Sequence, residues 1–221
     1  MKFSNRSLCR VFLLMGICTI GCVKESVASD DWQYWNEFKL RHNISEKIDV
    51  HLKMEQRIVD HAGDFALHNY SPGIVYALNR YLDFELNYKY EREKVNEVWN
   101  DEHRLEMIPI IKWEWSGYRL NVRTRFEYRT IEGDEKWRWR EKLKIKRRVM
   151  IGDFVFTPFV SEEIFYDFKV DEFNQNRAAI GFTKEITKSL GIGLYCLRKS
   201  NKRNGSWTGV NVLGTEFVME F

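Results

Sequence analysis

The sequence lacks most of what marks helical and disulfide-stabilised proteins. Past residue 29 no apolar run approaches the roughly 20 residues that a membrane helix requires, which excludes a helical membrane protein. Prolines number only three in 221 residues, and few prolines suit long hydrogen-bonded strands. Of the four cysteines, Cys9, Cys18 and Cys22 lie near the N-terminus. Cys196 is left alone, so the body of the chain has no intrachain disulfide and must be stabilised by its backbone ladder and packing. Zinc-ligand spacing such as His-Glu-x-x-His is absent from the five histidines, and no serine sits in a nucleophile-elbow motif.

The N-terminal residues have the layout of an export signal. Lys2, Arg6 and Arg10 form a positive region, residues 11–23 are apolar, and Val27-Ala28-Ser29 offers small residues for cleavage. Residues 1–29 are therefore expected to be a signal peptide and residues 30–221 the mature domain. A second reading places lipoprotein processing at Cys22 within Thr19-Ile20-Gly21-Cys22. With residues 1–29 go Lys2, Arg6, Arg10 and Lys24 against Glu25, so the formal net charge falls from +3 to zero. The basic pI belongs to the leader and gives no argument for nucleic-acid binding.

What the chain does have is alternation. From Tyr118 to Arg129, Leu120, Val122, Thr124, Phe126 and Tyr128 share one parity, and Arg119, Arg123, Arg125, Glu127 and Arg129 the other. After Glu132-Gly133-Asp134-Glu135 the design repeats, with Trp137, Trp139, Leu143 and Ile145 against Arg138, Arg140, Lys142, Lys144 and Lys146. Successive side chains of a strand point to opposite faces. One face is thus apolar and the other densely charged, which suits an enclosed wet lumen. Such segments of about ten residues between turns are the signature of a transmembrane β-barrel with its apolar side chains toward lipid.

The same pattern recurs along the chain. Segments begin near Trp32, Ile48, Ile74, Leu82 and Trp99; the central pair follows; and further segments cover residues 154–168, 177–183, 190–196 and 207–221. Pro109 removes one ladder bond and predicts a bulge or local distortion. Eleven segments can be counted, whereas bacterial single-chain barrels use an even number. Twelve are favoured, with a strand missed near the N-terminus or within Asp60–Tyr70; ten remain if Ile74–Tyr90 is one bent strand. Longer loops are expected outside the cell at Asp60–Tyr70, Arg92–Val98, Lys169–Asn176 and Ser200–Ser206. Trp32, Trp113, Trp115, Trp137 and Trp207 are expected at the interfacial girdles. The terminal Phe221, preceded by Phe217 and Met219 at alternate positions, suits a C-terminal strand read by the barrel assembly machinery.

The order and spacing of Trp35 and Glu37, Glu55-Gln56-Arg57, Glu102-His103-Arg104, Arg123-Thr124-Arg125-Phe126-Glu127-Tyr128-Arg129 and Trp137-Arg138-Trp139-Arg140, with a glutamate between Pro158 and Phe165, resemble the bacterial outer-membrane family catalogued as domain of unknown function 2490. The resemblance covers essentially the whole mature chain. It implies an outer-membrane β-barrel without an assigned activity and supplies no catalytic residues. The usual proline after the Glu-His-Arg triplet is Leu105 here.

Several residues invite a chemical reading. His61 and His68, near Asp60 and Asp64, could meet a cation, but an exposed polar loop explains them better. His42 and His51 fall on separate segments. A lipid-modifying hydrolase would need a Ser-His pair; Ser45, Ser71, Ser161 and Ser206 are available, and His103 beside Glu102 is the nearest base. No catalytic residue, metal ligand or cofactor is assigned. The expected lumen-facing charges are Glu55, Arg57, Glu85, Glu102, Arg104, Arg123, Arg125, Glu127, Arg129, Arg138, Arg140, Lys142, Lys144, Glu163 and Arg177. Acidic and basic rows on neighbouring strands could pair and leave a plugged or very narrow lumen; left open, it would concentrate anions. The sequence therefore predicts an integral barrel of a Gram-negative outer membrane, a narrow channel or a small-solute or ligand-binding barrel with an ion-paired lumen. An outer-membrane lipid-modifying enzyme and a soluble periplasmic ligand-binding barrel are the alternatives. The expected partners are outer-membrane lipid, lipopolysaccharide and the assembly machinery, with no nucleic acid.

Overall fold

The structure, a computed structural model, describes residues 27–59 and 63–221. Twelve strand segments account for nearly all of them: β1 (Val27–Ser45), β2 (Ile48–Val59), β3 (Asp64–Asn79), β4 (Leu82–Val95), β5 (Val98–Trp115), β6 (Tyr118–Ile131), β7 (Asp134–Arg147), β8 (Val149–Ile151), β9 (Phe154–Asp167), β10 (Glu172–Glu185), β11 (Leu190–Arg203) and β12 (Ser206–Glu220). Each strand pairs with the next in sequence, except that β7 pairs with β9 and β8 pairs with β9 alone, and the sheet closes where β1 meets β12. The expected leader lies, over residues 1–26, outside the described residues.

Twelve segments is the number favoured from the sequence, but the barrel closes on eleven. The extra segment is neither near the N-terminus nor within residues 60–70. It is β8, three residues past Arg148 that pair with β9 in the same register as β7: Lys146 faces Phe159 and Val149 faces Phe156. Residues 74–90 divide into two strands at Arg80 and Tyr81. An odd number of strands joined by hairpins leaves the last parallel to the first, and β1 and β12 are parallel from Trp32 with Asn211 to Arg41 with Glu220. Evenness is required only when every neighbour is antiparallel, and a parallel ladder satisfies the same backbone groups with slanted bonds.

Within the described residues the four expected long loops are strand ends and short turns. β4 and β5 run to a turn at Asn96 and Glu97, β9 and β10 to residues 168–171, and β11 and β12 to Asn204 and Gly205. Asn96, Glu97, Asn204 and Gly205 all have positive φ, the geometry of two-residue hairpins whose twist matches the strands. Only residues 60–63 separate β2 from β3. The parity signal fails there because the register shifts between Arg57 and Ile58, and Leu67 points inward while His68 points out. All hairpins being short, loop length does not distinguish the two ends of the barrel. They are called here the Trp115 end, which also holds Phe221, and the Trp137 end. Pro109 gives a distortion without a bulge: β5 and β6 lose pairing at Ile108 and Pro109, and the register resumes unchanged from Met107 with Phe126 to Ile110 with Arg123.

The two faces divide as the alternation requires. Phe84, Leu86, Leu105, Met107, Phe126 and Ile180 are exposed on the outside, while Glu85, Glu91, Glu106, Glu127 and Arg140 are buried inside. Outer aromatic pairs lie near both ends, Tyr81 with Trp113 at 5.7 Å and Tyr128 with Trp137 at 5.1 Å between ring centres. This inversion, apolar outside and charged inside, is what a lipid surround selects.

Candidate functional site: the charged lumen

All fifteen residues expected to carry lumen charge lie on the inner parity of their strands. Glu127 is the centre of the network and is fully buried. It accepts from Arg138 Nε at 2.6 Å and from Arg140 Nη1 at 2.7 Å, with Arg125 and Arg104 at 3.6 and 3.8 Å. Arg140 also donates to Glu163 at 2.6 Å. Arg129 grips Glu102 with two bonds of 2.7 Å, and Arg104 donates to Glu102 and Glu91. Arg57 pairs with Glu55 at 2.7 Å, and Arg123 with Glu85 at 2.9 Å. Charged partners at these distances form short, strong hydrogen bonds, and arginine engages two acceptors at once through its planar fork.

Two inward amides complete the lattice. Asn69 Nδ2 bridges Glu55 and Glu91, and Asn87 Nδ2 bridges Glu85 and Glu106. Glu91 and Glu106 belong to the acidic rows expected to pair with the basic ones, whereas Asn69, Asn87, Glu37, Lys53 and Lys89 belong to the lumen without having been singled out from the sequence. Their parity relative to Glu55, Glu85 and Arg104 was the available signal. Lumen arginines also lie over aromatic rings, Arg57 over Trp35 at 3.9 Å and Arg140 over Phe165 at 4.4 Å. Arg177 lies between Trp35 and Phe165, at 5.0 and 4.8 Å.

The lattice does not fill the lumen evenly. Toward the Trp115 end, Lys142, Lys144 and Lys146 continue the inner face of β7, with no ion-pair partner among the described residues. Opposite them the inner faces of β9 to β11 carry Phe159, Ser161, Ala179, Tyr195 and Leu197, with Glu163, Arg177, Lys199 and, on β12, Glu216 as the charges of that wall. Between the two walls runs a cavity of about 440 Å³ that reaches from Arg129 and Arg138 to Arg41 and Lys146. Fifteen Lys and Arg residues line it against six Glu. It shares Arg41, Lys146 and Glu216 with a cavity of about 1160 Å³ at the Trp115 end. A nearly neutral chain therefore encloses a basic cavity.

The residues weighed for other chemistry do not converge. His103 is on the outer face, its Nδ1 2.6 Å from the Tyr88 hydroxyl, while its neighbour Glu102 points inward, so the two cannot act on one substrate. His42 and His68 are outward, and His51 is inward, 3.8 Å from Glu85. His61 lies outside the described residues. Ser71 is buried in the lumen wall, Ser161 faces the cavity, and Ser45 and Ser206 adjoin turns. Among the described residues no group of His, Cys, Asp and Glu could hold a metal.

The sequence matches the family model described as "Protein of unknown function (DUF2490)" over residues 32–210. No curated protein matches it. Among solved structures, LpxR from Salmonella typhimurium aligns with a TM-score of 0.53 at 6% identity, over 83% of this chain and 87% of that one. A bacterial polysaccharide outer membrane secretin aligns at 0.51 with 8% identity, over 80% of this chain and 65% of that one. At such identities the likeness is one of fold, and that fold is the outer-membrane β-barrel.

Proposed function

This chain belongs to the DUF2490 family of proteins of unknown function, and from that premise we propose that it is an integral outer-membrane barrel whose narrow lumen binds and passes small anionic solutes. The observation that carries the proposal is the lengthwise cavity with fifteen cationic and six acidic side chains on its wall. A low-dielectric wall focuses the field of such an excess and raises the local concentration of anions. Rings of Arg and Lys select anions in the same way. The ion pairs around Glu127 narrow the passage from the β4–β7 side, so the conductance is expected to be small.

The test is single-channel conductance of the refolded chain in a planar bilayer, with reversal potentials in a salt gradient. Small anion-selective steps are expected. A silent bilayer despite demonstrated insertion, or cation selectivity, would sink the proposal. The outward apolar face supports a lipid surround that includes lipopolysaccharide. Failure to fractionate with outer membranes would return the chain to the soluble periplasmic class.

A further inference from the structure

Three aromatic rings line the lengthwise cavity, those of Trp35, Phe159 and Tyr195. Two of them are capped by cations: Trp35 lies under Arg57 at 3.9 Å, and Phe159 under the Lys144 ammonium at 3.7 Å. Among the described residues Tyr195 has no cation over its ring and no hydrogen bond to its hydroxyl. Its ring is also held in one pose. Cε1, Cε2 and Cζ all crowd the point where a Cβ of Gly214 would stand, so the ring leans on the wall at β12 and turns its other face to the cavity. Gly181, its ladder partner on β10, clears the root of the same side chain. Two glycines thus seat one open aromatic platform in a lumen whose other rings are covered.

The groups around the platform ask for two kinds of partner. Glu216 occupies the next inward position after Gly214 on β12, and Gly193 leaves its carboxylate room, a Cβ there standing 3.4 Å from Oε2. Glu216 makes no hydrogen bond or ion pair among the described residues. Across the cavity stand Lys142, Lys144 and Lys146, with Ser161 the ladder partner of Lys144. A carboxylate only accepts hydrogen bonds and an ammonium only donates them, so a ligand that joins the two carries hydroxyls on one side and an acid on the other. The slightly positive C–H face of a sugar ring suits the negative face of an aromatic ring. A flat aromatic acid would match Tyr195 and the lysines but leave Glu216 and Ser161 without partners. The cavity of about 440 Å³ falls within the roughly 300–1,000 Å³ usual for ligand sites. We propose that the ligand of the lumen is an acidic sugar: a pyranose ring seated on Tyr195, its hydroxyls donating to Glu216 and its carboxylate on the Lys142 to Lys146 row. The proposal rests on the reading of the lumen as an anion site and names the class of anion.

The experiment titrates the refolded mature chain in detergent with glucuronate, glucose and acetate by isothermal calorimetry. Glucuronate should bind about tenfold more tightly than either of the others, because ring and acid act in one site. No glucuronate binding, or glucuronate no tighter than acetate or than glucose, would overturn the proposal. These comparisons use the unaltered chain and do not depend on how a variant folds. Tyr195→Ala should weaken glucuronate binding about tenfold, whereas Tyr195→Phe, which keeps the ring, should retain most of it; equal losses would remove the platform from the site. In a planar bilayer glucuronate should interrupt the chloride current at concentrations where glucose and acetate do not, and an uninterrupted current would put the sugar outside the lumen. Chloride steps without glucuronate binding would leave conduction standing and sink this inference. Glucuronate binding by a chain that is silent in the bilayer would sink conduction alone.

Discussion

The inner wall formed by β4 to β7 and the inner wall formed by β9 to β12 belong to one barrel and are built on different principles. The first is a lattice of carboxylates and guanidinium groups in which Glu85, Glu91, Glu106 and Glu127 are each almost fully buried. The second carries fewer charges, Glu163, Arg177, Lys199 and Glu216, set among small and neutral residues, and its glycines admit a large ring: a Cβ at Gly214 would stand 2.0 Å from Cζ of Tyr195, and one at Gly181 2.6 Å from Tyr195 Cβ. Long charged side chains from one wall thus reach across toward a wall that leaves them room. The cavity is the residue of that mismatch. A lumen charged evenly all round would close on itself, and a lumen neutral all round would not select an ion.

The largest way to break this contrast is to remove its centre. Glu127→Leu leaves Arg138 and Arg140 without their shared acceptor and should cost about 3–5 kcal/mol, measured by urea unfolding in lipid vesicles. A small loss would show that the lattice is redundant. Next in size is the contrast between the two faces of β6: Phe126→Arg places a charge in the lipid band and should cost about 2–4 kcal/mol. Arg123→Leu, on the inner face, loosens the pair with Glu85 and should mainly alter reversal potential. Equal tolerance at the two positions would undo the inside and outside assignment.

On the neutral wall, Gly214→Ala forces the Tyr195 ring aside and should cost about 1–3 kcal/mol, less than the Glu127 change by the same unfolding measurement. The smallest effect on stability is expected for Lys142→Glu combined with Lys144→Glu. These lysines have no ion-pair partner to lose among the described residues, so folding should persist while the reversal potential moves toward the cation side. Unchanged selectivity would remove these residues from the conduction path.

The face of almost every residue was legible in the sequence, because alternation with period two is a local property of the strand. Leu67 and His68 show where it fails: an apolar residue faces the lumen and a polar one faces out, with a register shift just beyond them toward the β2–β3 turn, and the stretch looked like a loop. The four supposed loops failed for a related reason, since polar residues that prolong a strand beyond the lipid band resemble polar residues of a turn. Two outward acids, Glu141 on β7 and Glu162 on β9, were present in the sequence as well. Among so many charges of the opposite parity they carried no signal until the outer wall was closed around them.

By itself the sequence determined that this chain makes strands, which side of each strand is the apolar outside, and that the inside would be charged, because side-chain direction follows from position along the backbone. The tertiary structure alone decided that eleven strands close the barrel with β1 parallel to β12, that Glu127 gathers its arginines while Lys142 to Lys146 form no close ion pair among the described residues, and that a groove opens beside Arg198. These depend on register and closure. Both are set by all the ladders together, and no single strand contains them.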